Sequence, residues 1–357
     1  MQKEARQFRN RAFSIPETRR KIISDAARRL KEDFARLWPA IQLRDDYYAL
    51  LANPALLSQL GSGFLTPEEI SLLASLRPDS HTIDIEDIPA LYYLFIHAQG
   101  KGPESYDHIV IDEAQDFSPL HFRLIRMHSR DGSMTIVGDI AQGIYAHRGI
   151  SAWDEIKPVF QNDVLQYEEI AQNYRSTHEI VLFTNEILKK IYQDQAFLAQ
   201  PFSRPGEKPR LVQASSKEGM YQAIAQDIKN LSARQMKHVG IIVKSSRDLD
   251  EAVDYLQRYG CQMAYVISSR DAGYQYTGGI AIIPAVLAKG IEFQAAIVVN
   301  ASEANYSGSI EYDGRVLYVA CTRALHHLSL YSVGPFSSFL ELAKEAAQVE
   351  IVDSAQK

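Results

Sequence analysis

At 357 residues, with 46% hydrophobic and 23% charged side chains, the chain has room for two or three domains of ordinary soluble composition. No apolar run approaches the ~18–20 residues that a membrane span requires, and the start at Met1–Arg6 lacks the apolar core of a signal peptide. Two cysteines, Cys261 and Cys321, exclude a disulfide framework and any C-x-x-C zinc site, so a cytoplasmic protein with two buried thiols is expected.

Net charge is −6 but uneven: residues 1–36 hold eleven Lys/Arg against five Asp/Glu, which leaves the rest at −12. An acidic body does not suit broad capture of nucleic acid. The basic segment reads as a solvated helix face, with nucleic-acid contact as the alternative. Residues 17–38 have helical spacing of Ile22, Ile23, Ala26, Leu30, Phe34 and Leu37, bracketed by Pro16 and Pro39. Thr66-Pro67-Glu68-Glu69 is a helix start, with Thr as cap and Glu reaching back from three residues on. Ile88–Ala98 is a further apolar helix. Residues 1–100 thus read as a helical segment without legible chemistry.

From Tyr106 the pattern changes. Strands are expected at His108–Ile111, Met134–Val137, Asp163–Tyr167, Arg210–Gln213, Val239–Val243, Gly279–Ile283, Ala295–Val299 and His327–Tyr331. Several are unbroken Ile/Val runs, as in strands buried on both faces. Helices are expected between them at Ser176–Ile191, the first with a capping box at Ser176–Glu179, and at Lys217–Leu231 and Ser246–Arg258. Gln200–Pro209 reads as a surface connection. The alternation predicts an α/β fold with parallel sheets.

Five blocks carry chemistry. The strand I-V-I-D-E-A-Q-D at Ile109–Asp116 ends in carboxylates, where a nucleotide hydrolase orders Mg²⁺ with its first acid, Asp112, and takes a proton from water with its second, Glu113. Thr135–Gly149 contains Gly138, suited to a tight strand exit, and Gln142, a neutral amide suited to a γ-phosphate. A-Q-N-Y-R-S-T at Ala171–Thr177 sets Arg175 beside a helix start, where it can stabilise a transferring phosphoryl group. L-A-K-G-I-E-F at Leu287–Phe293 and L-Y-V-A-C-T-R-A at Leu317–Ala324 follow, the latter with Arg323 as a second such arginine. The phosphate-cradling G-x-x-x-x-G-K-[ST] is absent from the chain.

In this order the blocks resemble the UvrD/Rep-like superfamily 1 helicases over about Tyr106–Tyr331. The resemblance implies two RecA-like P-loop NTPase sheets, one partial and one complete. The implied domains are a helical insertion-type segment over 1–100, the end of the first RecA-like domain over 101–170, the second over 171–335, and a C-terminal helix or tail over 336–357. It implies ATP and Mg²⁺ as cofactors, with Asp112 on the metal and Glu113, Gln142, Arg175 and Arg323 as catalytic residues. Tyr174 would stack near adenine, and Gly290 and Glu292 would lie at the nucleotide. Tyr145, His147 and Arg148 would face single-stranded DNA.

Three departures shape the expectation. The phosphate loop is missing, so the upstream half of the first RecA-like domain is an implied partner and the isolated chain is expected to be inactive. The family's second stacking aromatic is His147, and its T-x-H-x-x-K-G becomes Pro284–Gly290, with Pro and Val at the Thr and His positions. Only about 35 residues separate Val243 from Gly279, which leaves no room for a large insertion domain. The blocks I-P-x-x-L-A-K-G-[IL]-E-F and L-Y-x-x-C-T-R-A, with Glu86–Leu94, resemble the HelD-like subgroup, helicase-like ATPases associated with bacterial RNA polymerase. The expected function is therefore the C-terminal part of an ATPase that remodels or releases RNA polymerase. The alternatives are a fragment of a DNA helicase or translocase, or a non-enzymatic docking module.

Overall fold

A computed structural model describes residues 20–21, 23–30, 42–75, 83–99, 104–145, 148–193, 196–268 and 276–352. The chain divides into two compact units, Met1–Ser105 and Tyr106–Lys357. Among the described residues, no helix is long and apolar enough to cross a membrane.

The first unit is helical: α1 (Leu43–Leu51), α2 (Pro54–Leu60), α3 (Pro67–Ser75) and α4 (Ile88–Gln99). Local chemistry starts two of these. Asn53 caps α2 by accepting from the Leu56 amide at 3.1 Å, with Pro54 in the first turn. Thr66 and Glu69 form the expected capping box on α3, at 2.8 and 3.2 Å. The hydroxyls of Tyr47 and Tyr48 both donate to the Asp87 carboxylate, at 2.8 and 2.9 Å, which ties α1 to the turn before α4. Residues 23–30 are helical, but Ile23 and Leu30 are exposed; the rest of the expected 17–38 helix lies largely outside the described residues.

Among the described residues, the second unit holds three parallel sheets. A small one pairs β1 (Ile109–Ile111) with β2 (Met134–Ile136), and α5 (Pro119–Met127) covers it through Phe122. The large sheet has seven strands: β5 (Arg210–Ala214), β6 (His238–Val243), β7 (Tyr265–Val266), β8 (Gly279–Pro284), β9 (Phe293–Val298), β10 (Ala324–Val333) and β11 (Gln348–Val352). Their order is β11-β5-β10-β9-β6-β8-β7, and every pairing is parallel. Two further short strands, β3 (Gln172–Asn173) and β4 (Gln200–Pro201), pair by themselves.

The unbroken apolar strands follow from burial on both faces. Ile241 and Val243 of β6 pack with α7 (Lys217–Ala233) and α8 (Leu249–Arg258), whereas Ile242 packs with α6 (His178–Tyr192) and α9 (Glu311–Cys321). Gly240 leaves space for a ring: a Cβ there would lie 2.3 Å from the Phe293 side chain. Cys261 and Cys321 are buried free thiols, as expected.

Three expectations are corrected and one, Gly138, is refined. Asp163–Tyr167 is not a strand; Asp163 is anchored by Arg126 at 2.8 and 2.9 Å, while Val164, Leu165 and Tyr167 are exposed. No neighbouring strand is there to take its backbone groups. The capping box at Ser176 does not form. Thr177 is the cap residue, the Ser176 hydroxyl donates to the Ala324 carbonyl at 2.8 Å, and Glu179 accepts from the Gly206 amide at 2.6 Å. Those tertiary acceptors and donors outcompete the local motif. Gly138 is required by close approach, described below, and is not at positive φ. Finally, residues 336–352 are not a helix or tail: short 3₁₀ turns at Ser338–Leu340 and Leu342–Ala346 lead into β11, which pairs beside β5, and 353–357 lie outside the described residues. The period-two pattern Q-V-E-I-V was the available signal.

A buried polar network locks α7 onto β5 and β10. Asp227 accepts from Arg210 at 2.7 Å, the Ser329 hydroxyl at 3.0 Å and the Tyr331 hydroxyl at 2.9 Å. Burial would push the Asp227 carboxyl up, but His327, Arg210 and Tyr331 outweigh this and bring it down to about 2 from an ordinary 3.8. A depressed carboxyl adds stability above its unfolded pKa and loses it as pH falls through the folded value, a contribution of roughly 2–3 kcal/mol. Asp227→Asn is expected to lower the urea-unfolding free energy by about that amount at pH 7 and to reduce the acid loss between about pH 4 and 2.

Candidate functional site

The site begins where β1 ends. Glu113 adopts left-handed backbone geometry, φ 52°, which a non-glycine residue holds only when its surroundings fix it. Several bonds do so. The Glu113 amide donates to Asp112 Oδ1 at 2.8 Å, and the Gln115 amide donates to Glu113 Oε2 at 2.6 Å. Gln115 is fully buried, and its Oε1 accepts from the Asp139 amide at 2.9 Å. That contact explains Gly138, where a Cβ would lie 2.4 Å from Gln115 Oε1 and 3.0 Å from the Ala114 amide. One amide side chain thus sets the spacing between the exits of β1 and β2.

The exit of β2 runs into the turn Ile140–Gln142. Asp139 caps it by accepting from the Ala141 amide at 2.9 Å, and its other oxygen accepts from Gln142 Nε2 at 2.8 Å. With its amide nitrogen so held, Gln142 turns Oε1 toward the turn that follows α9, where Arg323 Nη2 donates to it at 2.7 Å. Arg323 is only 3% exposed and also donates to the Val319 carbonyl at 3.1 Å. Burial lowers its pKa, while the charges of Glu113 and Glu292 act upward and Arg175 acts downward. Those four side chains therefore share one electrostatic neighbourhood.

Lys289 closes the site from the turn between β8 and β9. Its side chain is 8% exposed, with Nζ 2.7 Å from Asp116 and 3.2 Å from Glu113. Burial raises the Asp116 carboxyl, and Lys289 opposes that rise. The next residue, Gly290, has φ 77°, the left-handed turn that glycine takes without a side-chain penalty. Glu292 then pairs with Arg175 at 2.7 Å. Arg175 is itself placed by Asn173, whose side-chain oxygen accepts from the Arg175 and Ser176 amides at 2.9 and 3.2 Å.

The structure thus brings Glu113, Gln142, Arg175, Glu292 and Arg323 together, with Gly290 in the adjoining turn. Asp112 stands exposed beside Glu113, with one oxygen committed to the Glu113 amide. An exposed carboxylate on a strand end is a hard oxygen donor of the kind Mg²⁺ takes, so the residue fits the metal role. Tyr174 is exposed and leans on Phe202, ring centroids 4.9 Å apart. Tyr145 packs against the main core, and the Arg148 guanidinium lies 4.3 Å over its ring. His147 lies outside the described residues. Sequence reading missed Gln115, Asp139 and Lys289. Each sat inside a quoted block, but only the folded contacts distinguish a buried amide or lysine from its solvated counterpart.

The chain matches known families and proteins as follows. The profile of the UvrD/REP helicase N-terminal domain matches residues 5–156, and that of the UvrD-like helicase C-terminal domain matches 169–270. The chain is 32% identical over 171 residues to a probable DNA helicase II homolog of Mycoplasma genitalium, covering 44% of this chain and 24% of that protein. It is 27% identical over 186 residues to the ATP-dependent DNA helicase srs2 of Schizosaccharomyces pombe, covering 48% and 20%. Among solved structures, the C-terminal domain of a possible DNA helicase from Lactobacillus plantarum WCFS1 is 29% identical, covering 50% of this chain and 98% of that one, with a TM-score of 0.41. The chain spans about a quarter or less of the length of these curated relatives. The two domain profiles together account for more than two thirds of the residues, and the chain belongs to the UvrD-like family of superfamily 1 helicases.

Proposed function

We propose that this chain supplies the hydrolytic strand and the second RecA-like domain of an ATP-driven motor. The observation that carries the reading is the 2.7 Å contact between Gln142 and Arg323, which joins residues 181 apart beside the Glu113 carboxylate. Glu113 is assigned as the base that takes a proton from water, and Asp112 as the Mg²⁺ ligand. Gln142, Arg175 and Arg323 are assigned to the γ-phosphate. Gly290 and Glu292 line the nucleotide edge, and Tyr174 offers its exposed ring to adenine. Each of the three cations here has an oxygen partner: Lys289 on Asp116 and Glu113, Arg175 on Glu292, and Arg323 on Gln142. A phosphate entering the site competes for those same donors. ATP with Mg²⁺ supplies the reacting phosphoryl group. The chain's own groups orient, neutralise and accept the proton.

The phosphate loop has no counterpart among the 357 residues, so turnover requires that loop from outside them. The working partner in this reading is RNA polymerase, in the manner of HelD-like ATPases. Support comes from the turn after β8. Pro284 ends the strand opposite Val243, and Val286 and Leu287 pack on the core, so the family's Thr and His positions serve packing here. The short passage through α8 and β7 also supports it. A second reading, single-stranded DNA as the track, is favoured by the Tyr145–Arg148 pair and by the DNA helicases among the relatives. A docking module without catalysis is the third.

The test uses the polypeptide extended upstream of Met1 as its genome encodes it. An in-frame phosphate loop, with ATP turnover that falls about 10²–10⁴-fold in Glu113→Gln, supports the motor. A stop codon directly before Met1, or turnover indifferent to Glu113→Gln, sinks it. Stimulation by RNA polymerase rather than by single-stranded DNA selects the first partner, and the reverse selects the second.

Lys289 gives an independent check on this chain alone. Its charge is what opposes the upward shift of Asp116, so in Lys289→Met the Asp116 carboxyl titrates at higher pH, read by carboxyl ¹³C NMR. A raised carboxyl costs stability at neutral pH, and that cost fades as pH falls below the unfolded value. The variant is therefore expected to be more destabilised at pH 7 than at pH 4.

A further inference from the structure

We propose that Arg315 is a positioning residue that holds the Gln142–Gly143 segment at the height where Gln142 meets Arg323. The proposal rests on the nucleotide-site reading for its consequence, and on the following geometry for its substance.

Arg315 lies on α9, eight residues before Arg323. Its guanidinium is nearly buried, at 9% exposure for the residue, and lies 5.6 Å over the Tyr192 ring of α6. Nη1 donates to the Gly143 carbonyl at 3.2 Å. Nε and Nη2 both donate to Glu311 Oε1, at 3.1 and 2.6 Å. Glu311, one turn back on the same helix, thereby fixes the plane of the guanidinium and leaves Nη1 aimed across the interface. A helix-surface ion pair would leave both partners in water and contribute little. Here the arginine is enclosed, and one of its donors serves a carbonyl from the segment that follows β2.

Three consecutive residues are then seized by the second domain. Arg323 holds the Gln142 side chain, Arg315 holds the Gly143 carbonyl, and Ile144 is buried in the main core. Gly143 is closely approached on one side, where a Cβ would lie 3.1 Å from the Ile140 carbonyl. Without the Arg315 bond, the backbone beyond Gln142 would keep only the Gly143 amide's 3.0 Å bond to the Ile140 carbonyl and the burial of Ile144, and the Gly143 carbonyl would lose its charged donor.

The test is made on this chain, following the Gln142 side-chain amide by ¹⁵N NMR and residues 139–145 by hydrogen exchange. Asp227→Asn serves as a variant destabilised elsewhere. Arg315→Met is expected to move the Gln142 resonance toward its free-amide position. It should also speed loop exchange on the order of tenfold, as for a lost charge-assisted hydrogen bond. Exchange in β6 and β9 should stay as in wild type. Arg315→Lys, which keeps the charge but loses the planar fork that serves Glu311 and Gly143 together, should fall between. Asp227→Asn should leave the Gln142 resonance in place. An unmoved Gln142 resonance in Arg315→Met overturns the proposal. So does exchange that quickens uniformly through the unit, as in Asp227→Asn. In the upstream-extended polypeptide, a Gln142 resonance that ignores Mg²⁺-ATP would remove the nucleotide reading. The Arg315 assignment would still be decided by the variants.

Discussion

A guanidinium can be buried only if its donors find acceptors, and Arg323 finds its key one on the other sheet. The Gln142 oxygen at 2.7 Å completes the shell that the Val319 carbonyl and Thr322 hydroxyl begin. Everything on the small-sheet side is arranged to make that oxygen available. Asp139 holds the amide end of Gln142, Gln115 holds the backbone of Asp139, and Gly138 leaves space for Gln115. Remove any of these and the buried cation is left with only the Val319 carbonyl and the Thr322 hydroxyl as hydrogen-bond acceptors. The contact is therefore a condition on both sheets at once, which is how side chains far apart in sequence come to act at one place.

The electrostatics follow the same logic. Asp116, Glu113 and Glu292 bring negative charge to the site, and Lys289, Arg175 and Arg323 bring positive charge. Exposure decides how each pair behaves. Arg175, 69% exposed, is held loosely in a high-dielectric setting where an ion pair contributes ~0–1 kcal/mol. Lys289 is enclosed and cannot leave without stranding a carboxylate. The site thus combines one mobile cation with two fixed ones.

Much of this was legible in the sequence. The continuous apolar runs marked β6, β8 and β9 because burial on both faces leaves no polar alternation, and the acidic strand end marked Asp112 and Glu113. Five ordered blocks carried the family. What escaped reading depended on tertiary partners. Ser176 and Glu179 have the composition of a capping box, yet each has a better partner in Ala324 or Gly206. Asp163–Tyr167 has the composition of a strand, yet no neighbour pairs with it. Arg315 lay just upstream of a quoted block and looked like any helix-surface arginine until Gly143 was placed against it. β11 was overlooked because its period-two pattern spans only five residues.

The strand order sets a timetable for synthesis. β5 is the first strand of the large sheet to leave the ribosome, but its two neighbours are β10 and β11, the last. About 110 residues separate the end of β5 from the start of β10. At ~5–20 residues per second, β5 waits roughly 5–20 s before its first hydrogen-bonding partner exists. In that interval Leu211 can be sheltered by α6 and Val212 by α7, but both edges of the strand stand open. The same arrangement that sets Arg323 beside β10 makes β5 dependent on residues 324–352, so translation that stalls before β10 would release a sheet with its first strand unpaired.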